Sequence, residues 1–204
     1  MQVQSRLLPA SHPFVPAAQF VHNAIVQAGA YPSPLNYSHF PKSVCTSLNE
    51  VICHGIPDST QLVDGDILNI DVTVFLNGYH GDTSRMFSVG QPSPQAARLI
   101  ATTKEALNAA IAVCRPGAPF SAIGAAIQTV ADRERLGLVR NFVGHGVGRT
   151  FHSGPAVLHY RNSAAGKMQL GQTFTIEPML SLGSTRERVW NGGSSLQKEC
   201  GVEK

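Results

Sequence analysis

The chain has 204 residues, 43% of them hydrophobic, and a formal net charge of +3. That apolar content can bury one globular core; the cationic excess is too small and scattered for nucleic acid, and no apolar run reaches the length of a membrane span. Four cysteines lie outside any zinc-finger spacing, so a reduced compartment is the simpler reading.

Residues 1–49 carry no acidic side chain, and Met1–Gln19 holds Arg6, two serines and several alanines. Organellar transit peptides share that composition with short neutral loops. Import into a plastid or mitochondrion is the expectation, with the cytoplasm as the alternative.

Ile67–Leu76 is rich in branched and aromatic residues and alternates in polarity, which predicts a strand. Asn77-Gly78 follows, a pair suited to the positive φ of a type I′ hairpin turn, and Tyr79–Val89 returns as the partner strand. A two-residue turn sets Leu76 opposite Tyr79, hence Thr73 opposite Asp82 and Asp71 opposite Ser84. Side chains alternate with period two, so Asp71 and Asp82 share a face as diagonal neighbours with Cβ atoms roughly 7 Å apart. That spacing suits two carboxylates clamping two metal ions about 3.5–4 Å apart. Like charges on one sheet face equally suit a solvated surface. Asn69 and Thr73 line the same side, however, and Ile70, Val72 and Val74 are expected to bury the other. This resembles the wall of a cavity.

Two helices come next. Ile100, Leu107, Ile111 and Cys114 have helical spacing within Pro94–Cys114, and Arg115-Pro-Gly117 ends that run. A second helix opens with Ser121 as its expected N-cap, runs through Ile123, Ile127 and Val130, and stops before Gly137. Helices flanked by hairpins give the class α+β.

His145 lies between glycines in Phe142-Val-Gly-His-Gly-Val-Gly148, where backbone can approach a ligand without a Cβ clash. A lone histidine is more often a satisfied structural residue, but His152 follows another glycine-rich turn. The spacing G-x-G-x-G lacks the context of a dinucleotide fingerprint. Glu177 closes an expected strand over residues 172–177, stopped by Pro178, with Thr173 and Thr175 on its own face. Oxygen and imidazole donors without thiolate suit Co, Mn, Fe or Zn.

Six phrases then stand in order: Ala30-Tyr-Pro-Ser-Pro34, Phe40-Pro-Lys-Ser-Val-Cys-Thr-Ser-Leu-Asn-Glu50, Cys53-His-Gly-Ile-Pro-Asp58, Gly78-Tyr-His-Gly-Asp-Thr83, Gly144-His-Gly-Val-Gly148 and Phe174-Thr-Ile-Glu-Pro178. From about Val21 to Leu182 the chain resembles the type I methionine aminopeptidases, metalloenzymes of the pita-bread (creatinase/aminopeptidase) fold. The resemblance implies two divalent ions held by Asp71, Asp82, His145 and Glu177, the four residues singled out above. It also implies His54 and His152 as groups that hydrogen-bond the scissile peptide and stabilise charge in the tetrahedral intermediate. Tyr37, Phe40, Cys45 and Phe151 are implied to line the pocket for the methionine side chain, whose thioether packs well on aromatic edges. The implied reaction removes the N-terminal methionine from nascent or newly imported proteins. A metal-bridged hydroxide attacks the Met-X carbonyl while Glu177 shuttles the proton. Substrate peptides, with ribosome association an open alternative, are the implied partners of a monomer.

Two departures shape the expectations. Residues 1–20 match nothing in the family, and residues 184–204 form a divergent tail around the catalytic domain expected at 21–183. The family continues to a strand of the form Ala-Gln-Phe-Glu-His-Thr whose glutamate bridges both metals. Ser184–Lys204 offers no such phrase and no period-two run, and Glu187, Glu199 and Glu203 read as solvated residues. The pita-bread fold is therefore expected to be incomplete at both ends, the tail loosely ordered, and this chain weakly active or inactive. Two other functions stand beside the aminopeptidase reading. A prolidase-like peptidase is disfavoured by His54 in its phrase, and a non-enzymatic pita-bread binding module by the intact donor set.

Overall fold

A computed structural model describes residues 14–189 and 198–200. Residues 1–13, and tail residues 190–197 and 201–204 with Glu203, lie outside the described residues. The chain divides into two compact units, the first mainly residues 1–96 and the second mainly 97–186. Among the described residues no helix is long and apolar enough to cross a membrane.

The first unit opens on α1 (Phe14–Gln27), which takes in part of the segment that the sequence reading left unmatched. Pro16 falls in its first turn, where the missing N–H costs nothing. At its other end Gly29 takes a φ of 74°, and Ala30 N reaches back to the Ile25 carbonyl at 3.1 Å. The unit's sheet is built on the hairpin of β3 (Ile67–Leu76) and β4 (Tyr79–Ser88). Its turn residues Asn77 and Gly78 have φ of 53° and 86°, as a type I′ turn requires. The other edge of β3 is shared by β1 (Tyr31–Pro32) and β2 (Cys45–Leu48), both antiparallel to it. Thr73 faces Asp82 and Asp71 faces Ser84, the register that the two-residue turn demanded. The two faces differ from expectation. Ile70, Val72 and Val74 are only half-buried, whereas Thr73, on the aspartates' face, is 2% exposed. Gly81, Thr83 and Arg85 on the paired strand are exposed, so they cover those aliphatic side chains poorly.

The second unit is organised by α2 (Pro94–Ala112) and α3 (Ser121–Arg133). The face buried along α2 is Thr102, Ala106 and Ala110, while Ile111 is 54% exposed. The expected stripe of large aliphatics is thus displaced by small residues at i, i+4 spacing, which allow closer packing. On α3 the expected face is the buried one: Ile123, Ile127 and Val130 pack with Ala106, Ala110, Val157 and Met168. Ser121 is not the N-cap. That position belongs to Phe120 with no side-chain cap, and the first turn closes through Ala122 N to Pro119 O and Ile123 N to Phe120 O.

Short strand pairs complete this unit: β5 (Gly137–Leu138) with β8 (Leu180–Ser181), and β6 (Gly144–Gly146) with β7 (Ser153–Val157). The strand expected at 172–177 is not a regular one. It meets β6 through a bridge at Phe174 and the bond from Thr175 N to His145 O, 2.8 Å long. β6 is itself irregular between Gly144 and Gly146, so it offers no continuous edge on which a ladder could grow. In the tail, β9 (Glu187–Val189) pairs with β10 (Lys198–Cys200), where no strand was expected. Three-residue strands are too short to announce themselves by alternation.

Gly124 gives a sharp test of packing in the second unit. A Cβ there would collide with the backbone carbonyl oxygens of Leu158 and Tyr160. Alanine favours a helix over glycine by about 1 kcal/mol, but overpacking against backbone costs roughly 1–3 kcal/mol. Gly124→Ala is expected to lower the urea midpoint despite its better helix propensity; a raised midpoint would show that the 158–160 segment yields freely.

Candidate metal centre

The first unit supplies the hairpin carboxylates. Asp71 and Asp82 are half-buried on one face of the β3–β4 ladder, and the Thr73 hydroxyl donates to Asp82 Oδ1 at 2.8 Å. A hydroxyl donated to a carboxylate favours its ionised form. Cys45 on β2 lies directly across from Asp71. Burial pushes the Cys45 thiol far above its ordinary range, and Asp71, Cys53 and Asp82 add to the effect. In the metal-free site Cys45 is therefore a neutral thiol that can line a pocket. On the same face His80 pairs with Ser33 at 2.8 Å and packs on Phe75.

The second unit supplies an imidazole and a third carboxylate. His145 Nδ1 lies 3.1 Å from the Gly146 carbonyl, which can only accept, so that nitrogen carries a proton and Nε2 is the one left to face a ligand. Nε2 lies 3.5 Å from Glu177 Oε1. Thr175 links the two residues: its Oγ1 accepts from His145 N at 3.0 Å and donates to Glu177 Oε1 at 2.6 Å. The hydroxyl has one proton and gives it to the carboxylate, which again favours the ionised form. An imidazole nitrogen and a carboxylate oxygen at this separation fit two ligands of one divalent ion.

Phe151 and His152 stack at 4.0 Å between ring centroids, and His152 lies 4.3 Å from His145. Of the residues singled out from sequence, His145, His152, Phe151 and Glu177 are thus gathered within the second unit. Asp71, Asp82 and Cys45 are gathered on the first unit's sheet. His54, at a φ of 56°, is half-buried between the buried Cys53 and Gly55, Phe40 is half-buried, and Tyr37 is exposed. Among the described residues no three His, Cys, Asp or Glu side chains form a metal-holding group by themselves.

Sequence reasoning missed His159. It is 1% exposed, and its Nε2 accepts the backbone N–H of Glu177 at 3.1 Å. Burial lowers its pKa to about 4, against a smaller opposing effect of the Phe142 backbone. The available signal was a histidine set between Val157-Leu158 and Tyr160, an apolar setting in which a polar ring needs a built partner.

Residues 16–202 match metallopeptidase family M24, and the chain belongs to that family, among its type I methionine aminopeptidases. It is 60% identical over 179 residues to methionine aminopeptidase 1D, chloroplastic/mitochondrial, of Arabidopsis thaliana, covering 88% of this chain and 51% of that protein. It is 50% identical over 169 residues to the human mitochondrial methionine aminopeptidase 1D, covering 83% of this chain and 50% of that one. The chain spans about half the length of these curated relatives. The crystal structure of methionine aminopeptidase from Rickettsia prowazekii superposes with a TM-score of 0.90 at 42% identity, over 94% of this chain and 77% of that one. The prolidase from Pyrococcus furiosus, 21% identical with a TM-score of 0.71 over 84% of this chain and 49% of its own, shares the fold. The fold is the pita-bread fold, as the sequence implied.

His159 has a measurable consequence in acid. Its pKa of about 4 in the folded chain lies below the ordinary 6.5, so the unfolded chain takes up this proton first. Stability of the metal-free protein is expected to fall as pH drops from about 6.5 towards 4, by about 3 kcal/mol from this group. His159→Gln should flatten that part of a urea-midpoint profile; an unchanged slope would mean that the ring is not held neutral.

Proposed function

We propose that this chain is the catalytic part of a metalloaminopeptidase that removes the N-terminal methionine from nascent or newly imported proteins. Asp71, Asp82, His145 and Glu177 are its metal ligands in this reading, for two divalent ions drawn from Co, Mn, Fe and Zn. The observation that carries it is the preparation of the donors. Two of the carboxylates receive a threonine hydroxyl, from Thr73 and Thr175, and His145 sets its Nε2 3.5 Å from Glu177 Oε1 while Nδ1 is engaged by the Gly146 carbonyl. Membership of family M24 supports a divalent-metal peptidase.

Divalent ions held there supply Lewis acidity towards the scissile carbonyl and lower the pKa of water. Glu177, whose ionised form the Thr175 hydroxyl favours, accepts a proton and passes it to the leaving amine. His54 and His152 hydrogen-bond the peptide and the charge that develops on its carbonyl oxygen. Tyr37, Phe40, Cys45 and Phe151 receive the methionine side chain, with Cys45 neutral as its burial requires. A chloroplast or mitochondrion is the proposed compartment, supported by relatives whose names place them there. The proposed partners are Met-X peptides, met by a monomer.

Hydrolysis of a Met-Ala-Ser peptide with Co²⁺ or Mn²⁺ tests this reading. Turnover by this chain is expected to be weak or nil, so Asp71→Asn and Glu177→Gln are read by Co²⁺ calorimetry, where each is expected to weaken binding, and chelation is expected to remove whatever turnover remains. Cleavage of Xaa-Pro peptides instead would favour the prolidase alternative, and peptide binding without any cleavage a binding module. In a full-length relative, alanine at the positions matching His54 and His152 should each lower kcat by the equivalent of about 2.7–4 kcal/mol while calorimetric metal affinity holds. Metal loss in either variant would make that histidine a ligand.

A further inference from the structure

We propose that His159 is a positioning residue that fixes Glu177 from behind, its imidazole taking the place of a missing strand carbonyl. The proposal rests on the reading of Glu177 as a metal ligand.

The argument starts from the backbone. Around Glu177 the chain is extended but makes no ladder: it bridges β6 at Phe174, and Thr175 N donates to His145 O. Beyond those contacts the Glu177 amide has left the paired stretch. A backbone N–H in a partly buried segment must still find an acceptor. It finds Nε2 of His159, on the segment just after β7, at 3.1 Å. An amide can only donate, so Nε2 holds the lone pair and the ring proton sits on Nδ1. Nδ1 is turned towards the Phe142 carbonyl, at a geometry short of a full hydrogen bond.

One ring therefore addresses two ligand-bearing segments. Phe142 opens the glycine-rich run that carries His145, and the Glu177 amide belongs to the residue whose carboxylate faces His145 Nε2 at 3.5 Å. Glu177 is held at two points, its Oε1 by the Thr175 hydroxyl and its backbone by His159. The ring cannot drift, since Val157 beside it is fully buried and Gly124 of α3 lies against the carbonyls of Leu158 and Tyr160. No feature of the hairpin pair requires such a device, because Asp71 and Asp82 ride on a complete ladder.

The test uses the whole chain, with Co²⁺ alone as the probe and two readouts, calorimetric affinity and the visible d–d spectrum. His159→Phe keeps the ring's volume and loses the acceptor. His159→Gln sets an amide oxygen near the Nε2 position, and His159→Asn reaches only as far as Nδ1. Outer partners of ligands typically contribute about 10–100-fold in metal affinity. His159→Phe is expected to bind Co²⁺ about 10–100-fold more weakly with an altered spectrum, and His159→Gln to stay within about threefold of the parent with its spectrum kept. If the Phe variant does not fold, tight binding by Gln beside weak binding by Asn supports the role, and equal binding by the two overturns it. Parent-like affinity and spectrum in His159→Phe, with Glu177→Ala weak, would overturn the positioning role alone. Unchanged Co²⁺ binding in Glu177→Ala would overturn the ligand assignment and this role with it.

Discussion

A carboxylate drawn partly out of water must be given a donor, or it takes up a proton and stops being a ligand. Each unit meets that requirement at one carboxylate. Thr73 gives its hydroxyl proton to Asp82, and Thr175 gives its own to Glu177. Thr73 meets Asp82 through the cross-strand register of the hairpin, and Thr175 meets Glu177 two residues on along extended backbone. Threonine suits the place twice over: its branched Cβ favours extended backbone, and its one proton leaves the oxygen able to accept. Thr175 uses that second capacity to take the amide of His145. Substituting valine would keep the shape and remove the reason for the charge.

How much of this was legible in the sequence depends on how locally each part is specified. The hairpin pair follows from two residues, Asn77 and Gly78, whose positive φ values admit one turn type and hence one register. Everything from Leu76 opposite Tyr79 to Asp71 opposite Ser84 is then arithmetic. Buried positions on α3 were legible because Ile123, Ile127 and Val130 leave no other apolar face. On α2 the large aliphatics misled, since the packed face is made by Ala106 and Ala110, residues whose small size conceals their burial in any hydrophobic pattern. The cap at Ser121 failed for a related reason: propensity favours serine at an N-cap, but Phe120 is anchored in the core and takes the helical turn with it.

Around Glu177 the sequence is half legible. Alternation of Thr173, Phe174, Thr175, Ile176 and Glu177 gave the right faces, since Phe174 and Ile176 pack on the core and Thr175 and Glu177 serve the site. It could not say whether a partner strand exists. Alternation reports which side of the chain is wet and carries no information about neighbours across the sheet. Where the ladder is absent, side chains must supply the hydrogen bonds that a strand would have supplied, and His159 is the side chain that does so.

The two carboxylate-bearing segments therefore differ in how their geometry is secured. Asp71 and Asp82 lie within one hairpin, and every residue between them and the turn is paired. Displacing either requires breaking several backbone bonds together, so single substitutions on the face should change chemistry more than position. His145 and Glu177 are distant in sequence, and the contacts that hold them include a bridge, an amide bond, a shared hydroxyl and a buried ring. Each contact can fail alone. A site assembled this way gains close approach, because Gly144 and Gly146 let backbone pass where a ladder of larger residues could not. It gives up redundancy in return. Loss of geometry by substitution should therefore begin on the Glu177 side, at residues that touch no metal and no substrate.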